Sequence, residues 1–275
     1  MIDGFDLDAF VCATLDEDIG VGDVTSAAVI PVDARLTAVM ASRDDVVVAG
    51  LPLAEAFFRA LDPAVLVEHL AADGNRVPAK TPLLRLTGNA RALLAAERSA
   101  LNTVQHLTGI ATLTRTYVDA IAGTGAVLLD TRKTLPGLRL LEKYATRMGG
   151  ATNHRLRLDD GVMIKDNHVA IAGGITPAVA AAKAAGLTNI VVEVDQIDQI
   201  APALAAGADR LLLDNMDVPT LRAAVGLIAG RVPTEASGGV RLDTIRAIAQ
   251  TGVTFISVGR LTQSAPAADI GLDYA

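Results

Sequence analysis

The second half of the chain repeats one pattern, a short apolar segment followed by an Ala-rich helical segment, and this repeat narrows the folds open to the chain. Repeated β-α units form a parallel sheet, because each helix returns the chain to the same end of the sheet. The apolar segments begin roughly 20 to 36 residues apart, and their number, six, is two short of a closed eight-stranded barrel. We therefore predict a shortened, open β/α barrel. The six segments are AVLLD (126–130), VMIK (162–165), IVVEV (190–194), RLLLD (210–214), PTEAS (233–237) and TFISV (254–258).

The first 90 residues follow a different pattern, in which short apolar segments are separated by turn residues. Together with one helical stretch near 52–61, these segments indicate a small α+β unit with a partly antiparallel sheet. A long amphipathic helical stretch follows over about 91–122, and we predict that it is broken near Gly109. The apolar segments are RLTAVMAS (35–42), VVVAG (46–50), VLVEHL (65–70) and TPLLRL (81–86).

Composition excludes several classes of protein. Hydrophobic residues make up 51% of the chain and charged residues 20%, a balance that supports a buried core and excludes a disordered or collagen-like chain. The net charge of -7 argues against nucleic-acid binding, which needs a basic surface. A single cysteine, Cys12, excludes an intrachain disulfide and a Cys-rich metal site. The acidic opening residues and the lack of a long apolar run favour a cytoplasmic protein without a signal peptide or membrane helix.

One region departs from the acidic balance of the chain. Residues 98–165 carry ten basic and five acidic side chains, whereas the whole chain has 24 Lys and Arg against 31 Asp and Glu. Such a basic island indicates an anionic ligand, because Arg offers a planar fork for carboxylates or phosphates and Lys a compact charge. The alternative is that these are solvated loop charges. For Lys165 we favour function, because a lysine on a predicted core strand is costly unless it meets an anion or solvent.

Each predicted strand of the barrel runs directly into polar residues, at the end where β/α barrels gather their catalytic groups. Glu193 and Asp214 end consecutive strands, so both should face the barrel mouth, where one or two carboxylates and substrate phosphates hold Mg²⁺ in many enzymes. Each carboxylate could instead cap the helix that follows. The last two junctions, Ser237-Gly238-Gly239 and Gly259, suit phosphate binding through backbone N–H groups.

Four further polar residues lie beside the predicted cations. Asp130 and Asp166 are expected to orient them, and His154 is placed to donate to a carboxylate. His168 could equally be structural, neutralising the turn that contains Asp166.

Several motifs, in this order along the chain, resemble the quinolinate phosphoribosyltransferase family, also called nicotinate-nucleotide pyrophosphorylase (carboxylating). The resemblance implies that quinolinate and 5-phosphoribosyl 1-diphosphate, with Mg²⁺, give nicotinate mononucleotide, diphosphate and CO2 in NAD biosynthesis. It also implies a homodimer with shared active sites, built from an N-terminal α/β sandwich domain (1–108) and an open β/α barrel domain (109–275) whose C-terminal tail packs back on the first domain. The motifs are GDVTS (22–26), ERSALN (97–102), DTRKTLPGLR (130–139), NHR (153–155), IKDNH (164–168), EV (193–194), LLLDNM (211–216), EASGGV (235–240), SVG (257–259) and DIGLD (269–273).

Carried over position by position, the resemblance implies three groups of site residues. The quinolinate contacts are Arg98 (contributed across the dimer), Thr131, Arg132, His154, Arg155 and Lys165. The contacts to phosphoribosyl diphosphate are Lys133, Asp166, Glu193, Asp214, Ser237, Gly238, Gly239 and Gly259. The catalytic residues are Lys133, Lys165, Glu193 and Asp214, of which Glu193 and Asp214 also bind Mg²⁺, directly or through water or substrate.

The chain departs from the family pattern at two positions. Relatives usually have a histidine where Gln263 stands, and an amide can bond a phosphate but cannot become cationic. Arg157 stands where glycine is expected and adds charge beside the loop.

Other functions are also open to a chain with these residues. One is an aldolase-like barrel that forms a Schiff base on Lys165, and another is a non-catalytic metabolite-binding protein. A third is a paralogous pyrophosphorylase acting on another anionic base, although the related molybdenum-locus proteins lack the KDNH segment (165–168).

Overall fold

A computed structural model describes residues 4–274, and the chain divides into two compact units. The first unit comprises the chain up to Arg115, residues 140–150, and the chain from Ser264 onward. The second unit comprises Thr116–Arg139 and Ala151–Gln263. The predicted division at residues 108 and 109 stays a prediction.

The elements up to the long helix, in chain order, are α1 (Leu7–Ile19), α2 (Val24–Val29), β1 (Arg35–Ser42), β2 (Val46–Val47), α3 (Leu51–Leu61), β3 (Leu66–His69), β4 (Arg76–Val77), β5 (Pro82–Asn89) and α4 (Ala90–Ala120). The elements that follow are β6 (Val127–Leu129), α5 (Arg139–Met148), β7 (Met163–Ile164), α6 (Asp166–Ala172), α7 (Ile175–Ala184), β8 (Val191–Val194), a 3-10 turn (Ile197–Gln199), α8 (Ile200–Ala206), β9 (Arg210–Asp214), α9 (Val218–Ile228), β10 (Thr234–Ser237), α10 (Ile245–Ala249), β11 (Phe255–Ser257), α11 (Arg260–Gln263) and β12 (Ile270–Tyr274).

The first unit is built on an antiparallel sheet of four strands in the order β12-β1-β5-β3. Strand β1 alternates buried and part-exposed residues, the pattern of a strand with one face on a core. Met40 from β1, Leu84 from β5 and the α3 residues Phe57 and Phe58 are fully buried in one hydrophobic cluster. The predicted α+β organisation of this region is confirmed.

Helix α4 runs without interruption through Gly109, so the predicted break is wrong. A single glycine costs a helix only about 1 kcal/mol, and packing offsets that loss here. A Cβ at residue 109 would lie 2.0 Å from the carbonyl oxygen of Pro266. One turn earlier in the helix, the Gln105 carbonyl accepts a hydrogen bond from Ala268 N–H (3.0 Å). The glycine therefore marks a close crossing of two backbones.

The second unit contains one parallel sheet of six strands in the order β6-β11-β10-β9-β8-β7. All six predicted barrel strands are present. A closed barrel would also pair β6 with β7, but these two strands are the edges of the sheet. A single bridge from Leu129 to Thr152 lies on the free side of β6. The predicted open, shortened barrel is confirmed.

Among residues 4–274, no helix combines the length and apolarity needed to cross a bilayer.

Candidate active site

A cavity of about 710 Å³ lies at the carboxyl ends of the parallel strands in the second unit. Six Lys and Arg side chains and three carboxylates line the cavity, which gives the lining a surplus of three positive charges. Twelve of the predicted site residues line this cavity: Thr131, Arg132, Lys133, His154, Arg155, Lys165, Glu193, Asp214, Ser237, Gly238, Gly239 and Gly259. The arrangement follows from the topology, because parallel strands bring the loops after each of them to one end of the sheet.

Arg132 and Arg155 form the most desolvated cationic part of the cavity. Burial, and then the nearby Arg132 charge, hold the pKa of the Arg155 guanidinium below its ordinary value. Arg155 Nη1 donates to the carbonyl of Gly161 (2.8 Å), which fixes the guanidinium against its loop. Arg132 Nε is buried and has no hydrogen-bond acceptor within the described chain. Two close guanidinium groups, one incompletely bonded, form a site that an anionic ligand would stabilise.

Lys165 follows β7 and pairs with a carboxylate of the next strand. Its Nζ lies 3.2 Å from Glu193 Oε2, and its side chain is 47% exposed against 14% for Glu193. The expectation that Lys165 lies on a buried strand is therefore wrong, because β7 ends at Ile164. The backbone N–H of Lys165 donates to His168 Nδ1 (2.9 Å), so His168 has a structural role as the cap at the start of α6.

The glycine-rich loop after β10 packs against the end of β9. Asp214 and Ser237 are paired in register at the ends of these strands. Asp214 Oδ2 accepts from Asn215 Nδ2 (2.6 Å), and Asn215 itself has a left-handed backbone with φ 54°. A Cβ on Gly238 would lie 2.2 Å from Asn215 Oδ1, so only glycine allows this approach. Asn215 lines the cavity and was missed by the site prediction, although it stands in the LLLDNM motif.

Two fully buried carboxylates, Asp130 and Glu235, lie at the cavity wall. Asp130 accepts from Asn153 Nδ2 (2.6 Å) and from the backbone N–H of His154 (2.7 Å), so it fixes the segment before Arg155, and its expected role in orienting a cation stays a prediction. Glu235, on β10, is fully buried and was not predicted as a site residue. Burial by itself would raise the pKa of Glu235, but hydrogen bonds and charge from His154, Ser257 and Arg210 hold it below its ordinary value. A glutamate in the middle of the predicted strand PTEAS (233–237) was the available signal.

Three more residues that line the cavity were not in the predicted site. Arg241 pairs through two nitrogens with Asp243, at 3.0 and 3.1 Å, whereas Arg260 begins α11. Gln263 stands one turn after Arg260, and both face the cavity. Arg260 therefore brings a cationic charge to the part of the cavity lining that Gln263 also occupies.

Two predicted residues do not line the cavity. Asp166 is exposed at the start of α6, where its Oδ1 accepts from Asn167 N–H (2.7 Å). Arg98 is exposed on α4 in the first unit. Arg157, the departure noted above, pairs with Asp159 at 3.1 Å on the exposed loop and also lies outside the cavity lining.

No cluster of three His, Cys, Asp or Glu side chains suited to a metal ion occurs among residues 4–274. Glu193 and Asp214 are the partly exposed carboxylates of the cavity. Such a pair fits Mg²⁺ held jointly with substrate phosphates, which is the usual form of magnesium binding in phosphate-transferring sites.

Known proteins match the chain over almost its whole length. Residues 23–108 match the model of the quinolinate phosphoribosyl transferase N-terminal domain, and residues 110–273 match the model of the C-terminal domain. The chain is 43% identical to a nicotinate-nucleotide pyrophosphorylase (carboxylating) of Oryza sativa, with 98% of this chain and 77% of the relative covered. It is also 43% identical to a probable nicotinate-nucleotide pyrophosphorylase (carboxylating) of Synechocystis, with 97% and 92% covered.

A solved structure of a protein with the same name has a similar fold. The nicotinate-nucleotide pyrophosphorylase of Francisella tularensis superposes with a TM-score of 0.95 at 39% identity, covering 100% of this chain and 99% of that one.

Proposed function

This chain belongs to the quinolinate phosphoribosyltransferase family, and from that membership we propose that it makes nicotinate mononucleotide for NAD biosynthesis. The reaction transfers the phosphoribosyl group of 5-phosphoribosyl 1-diphosphate to quinolinate, with release of diphosphate and CO2. The observation that carries the proposal is the positive surplus of the cavity, since the two substrates together bring two carboxylates, a 5′-phosphate and a diphosphate. The enzyme is a pentosyltransferase.

Quinolinate fits the side of the cavity formed by Arg132, Arg155 and Lys165. Arginine forks bind carboxylates through two parallel hydrogen bonds, and Arg132 Nε is available for one of them. Lys165 now pairs with Glu193 and can turn to the substrate, because its side chain is half exposed. Thr131, at the base of the same loop, fixes the backbone by accepting from Lys133 N–H (3.0 Å).

The phosphoribosyl diphosphate fits the glycine-rich part of the cavity, which adjoins the loop of Thr131, since a Cβ on Gly259 would lie 3.6 Å from Thr131 Oγ1. Ser237, Gly238, Gly239 and Gly259 form a cradle of backbone N–H groups for the 5′-phosphate. Lys133 is exposed at the cavity and suits the diphosphate.

The chemistry needs charge stabilisation and no protein nucleophile. As the bond between C1 of the ribose and the diphosphate oxygen breaks, positive charge grows on the sugar, and Glu193 and Asp214 stabilise it. The pyridine nitrogen of quinolinate supplies the electron pair of the new bond to C1. The nitrogen, now cationic, stabilises the electron pair that stays on the adjacent ring carbon when its carboxylate departs as CO2, and that pair then binds a proton.

Glu193 and Asp214 would hold Mg²⁺ together with the substrate phosphates. Bound there, the ion would neutralise charge on the leaving diphosphate. Because Lys165 Nζ lies 3.2 Å from Glu193, this lysine keeps the carboxylate in place before substrate arrives.

We further propose a homodimer in which Arg98 completes the quinolinate site of the partner subunit. This proposal rests on the family resemblance and on the exposure of Arg98. Mixing inactive Arg98→Ala chains with inactive Lys165→Ala chains should restore part of the activity, because half-mutant dimers regain one intact site. No recovery after verified subunit exchange would exclude the shared site.

The decisive assay supplies quinolinate, 5-phosphoribosyl 1-diphosphate and Mg²⁺ and follows diphosphate and CO2. We expect both products, and we expect Arg132→Ala or Lys165→Ala to abolish turnover in a folded chain. Nicotinate as the control base should give no CO2. Diphosphate release with another anionic base alone would favour a paralogous pyrophosphorylase, and borohydride trapping of a carbonyl substrate on Lys165 would favour the aldolase-like alternative.

The single cysteine suits a reducing compartment, and we place the enzyme in the cytoplasm. Fractionation of the producing cells, with detection of this chain, tests that assignment.

A further inference from the structure

A chain of polar groups, fully buried at Glu235 and part-buried at Arg210 and His154, leads from the parallel sheet to the cationic wall of the cavity. It begins at Arg210, whose guanidinium lies 4.2 Å from the centre of the Phe255 ring and whose Nη1 donates to Glu235 Oε2 (3.2 Å). Glu235 has no exposed surface. Its other oxygen, Oε1, lies 3.3 Å from His154 Nε2, a contact short enough for a hydrogen bond although the N–H is not aimed directly at the oxygen.

The hydrogen bond at His154 Nδ1 shows which ring nitrogen carries the proton. The backbone N–H of Arg155 donates to His154 Nδ1 at 2.7 Å, so Nδ1 carries a lone pair and no proton. The ring proton is therefore on Nε2, which faces the carboxylate of Glu235. Both ring nitrogens of His154 therefore face protein groups, Nδ1 the backbone N–H of Arg155 and Nε2 the carboxylate of Glu235.

Arg155 is the residue that this arrangement fixes. Its backbone N–H is held by His154 Nδ1, and the preceding N–H, that of His154, is held by Asp130 Oδ1 (2.7 Å). Without a defined acceptor at Nδ1, the peptide before Arg155 could rotate, and the guanidinium would move with it. A catalytic group displaced by about 1 Å can cost a hundredfold in rate.

We propose that Glu235 is a positioning residue for quinolinate binding, which fixes the proton of His154 on Nε2 and thereby holds Arg155 toward the cavity. This inference rests on the proposed function and adds to the role implied by the family resemblance. Through Nδ1, His154 also orients Arg155. Polar groups behind the first layer of a site often act in this way, by fixing which nitrogen of a histidine carries the proton.

The first test measures the proton directly and needs no activity. Nitrogen-15 spectra of the histidine rings distinguish Nδ1–H from Nε2–H, and loss of one signal set in His154→Gln assigns it among the four histidines. We expect His154 to carry its proton on Nε2 in the unaltered protein. A proton on Nδ1 would overturn the inference even if no variant folds, and even if the protein made no nicotinate mononucleotide.

The second test uses Glu235→Gln, which keeps the shape but can offer an N–H to the ring. We expect a mixture of the two ring forms and a rise of about tenfold or more in KM for quinolinate, with KM for phosphoribosyl diphosphate within about twofold. Glu142→Gln is the matched control, because Glu142 is also fully buried and also bonds a histidine, His106, at 2.9 Å. The control should lower stability yet leave KM for quinolinate within about twofold.

Equal changes in both KM values for Glu235→Gln, or a quinolinate defect as large in the control, would overturn the inference. Titration calorimetry with quinolinate gives the same comparison without turnover. If the unaltered enzyme makes no nicotinate mononucleotide, the proposed function fails. The spectra and the calorimetry test this inference separately, because neither needs turnover.

Discussion

A methyl group added at Gly259 should displace Lys133 and little else. A Cβ there would lie 2.8 Å from Lys133 Cδ, but 3.6 Å from Thr131 Oγ1 and 3.7 Å from Lys133 Cβ, which are ordinary contacts. The backbone of Lys133 cannot retreat, since its N–H donates to Thr131 Oγ1 (3.0 Å) and its carbonyl accepts from Thr262 Oγ1 (2.7 Å). The side chain must therefore turn away.

The size of the effect follows from these distances. Restoring an ordinary carbon–carbon separation moves Lys133 Cδ by about 1 Å, and Nζ by at least as much. Misplacement of a catalytic group on that scale costs up to about a hundredfold in rate. Gly259 has no left-handed backbone angle, so Gly259→Ala should barely change the thermal midpoint.

A double-mutant cycle separates this explanation from simple blocking of the substrate. We expect Gly259→Ala to lower kcat/KM for phosphoribosyl diphosphate by about ten- to a hundredfold. In the Lys133→Ala background, which has no Cδ to displace, the same methyl should change the remaining activity by less than about twofold. An equal loss in both backgrounds would refute the reasoning, because the methyl would then act on the substrate directly.

Two further predictions concern stability. Gly109→Ala should destabilise the protein by about 1–3 kcal/mol, because its Cβ would meet the Pro266 carbonyl at 2.0 Å. Gly226→Ala, in open space on α9, should instead stabilise the protein by about 0.5–1 kcal/mol. Urea midpoints measure both changes in stability, and changes of the same sign would contradict the prediction. The pKa of Glu235 is depressed on folding, so its stabilisation is complete above the ordinary value of 4.5 and is lost as the pH falls through the lower folded value. Urea midpoints measured down to about pH 3 should therefore fall less steeply in Glu235→Gln than in the unaltered protein, and parallel curves would contradict the assignment.

The six parallel strands were predictable because apolar segments that end in polar residues leave few other folds open. The same reasoning correctly predicted that Glu193 and Asp214 line the cavity. It could not distinguish the roles of Glu193 and Glu235, which stand at one level of the sheet, both in register with Leu212. Their partners differ, Lys165 for one and Arg210 with His154 for the other, and those partners come from distant segments.

The continuous helix at Gly109 was unpredictable for a similar reason. A glycine in a helical segment indicates a weak point unless another segment packs on it. The segment that does so, around Pro266, lies more than 150 residues further along the chain. Local pattern carries no information about such a crossing.

The pairing of β12 with β1 has a consequence for how the chain folds during synthesis. Strand β12 leaves the ribosome only after all six parallel strands have been made, yet it covers one edge of the sheet that contains β1. Domains usually fold in the order of their synthesis, but here the unit that is begun first is finished last. Until then β1 presents an open edge to neighbouring chains, which is a known hazard for misassociation. Nascent chains stalled before residue 270 should therefore hold a folded parallel sheet beside an unfinished antiparallel one, and they should be the species that chaperones retain.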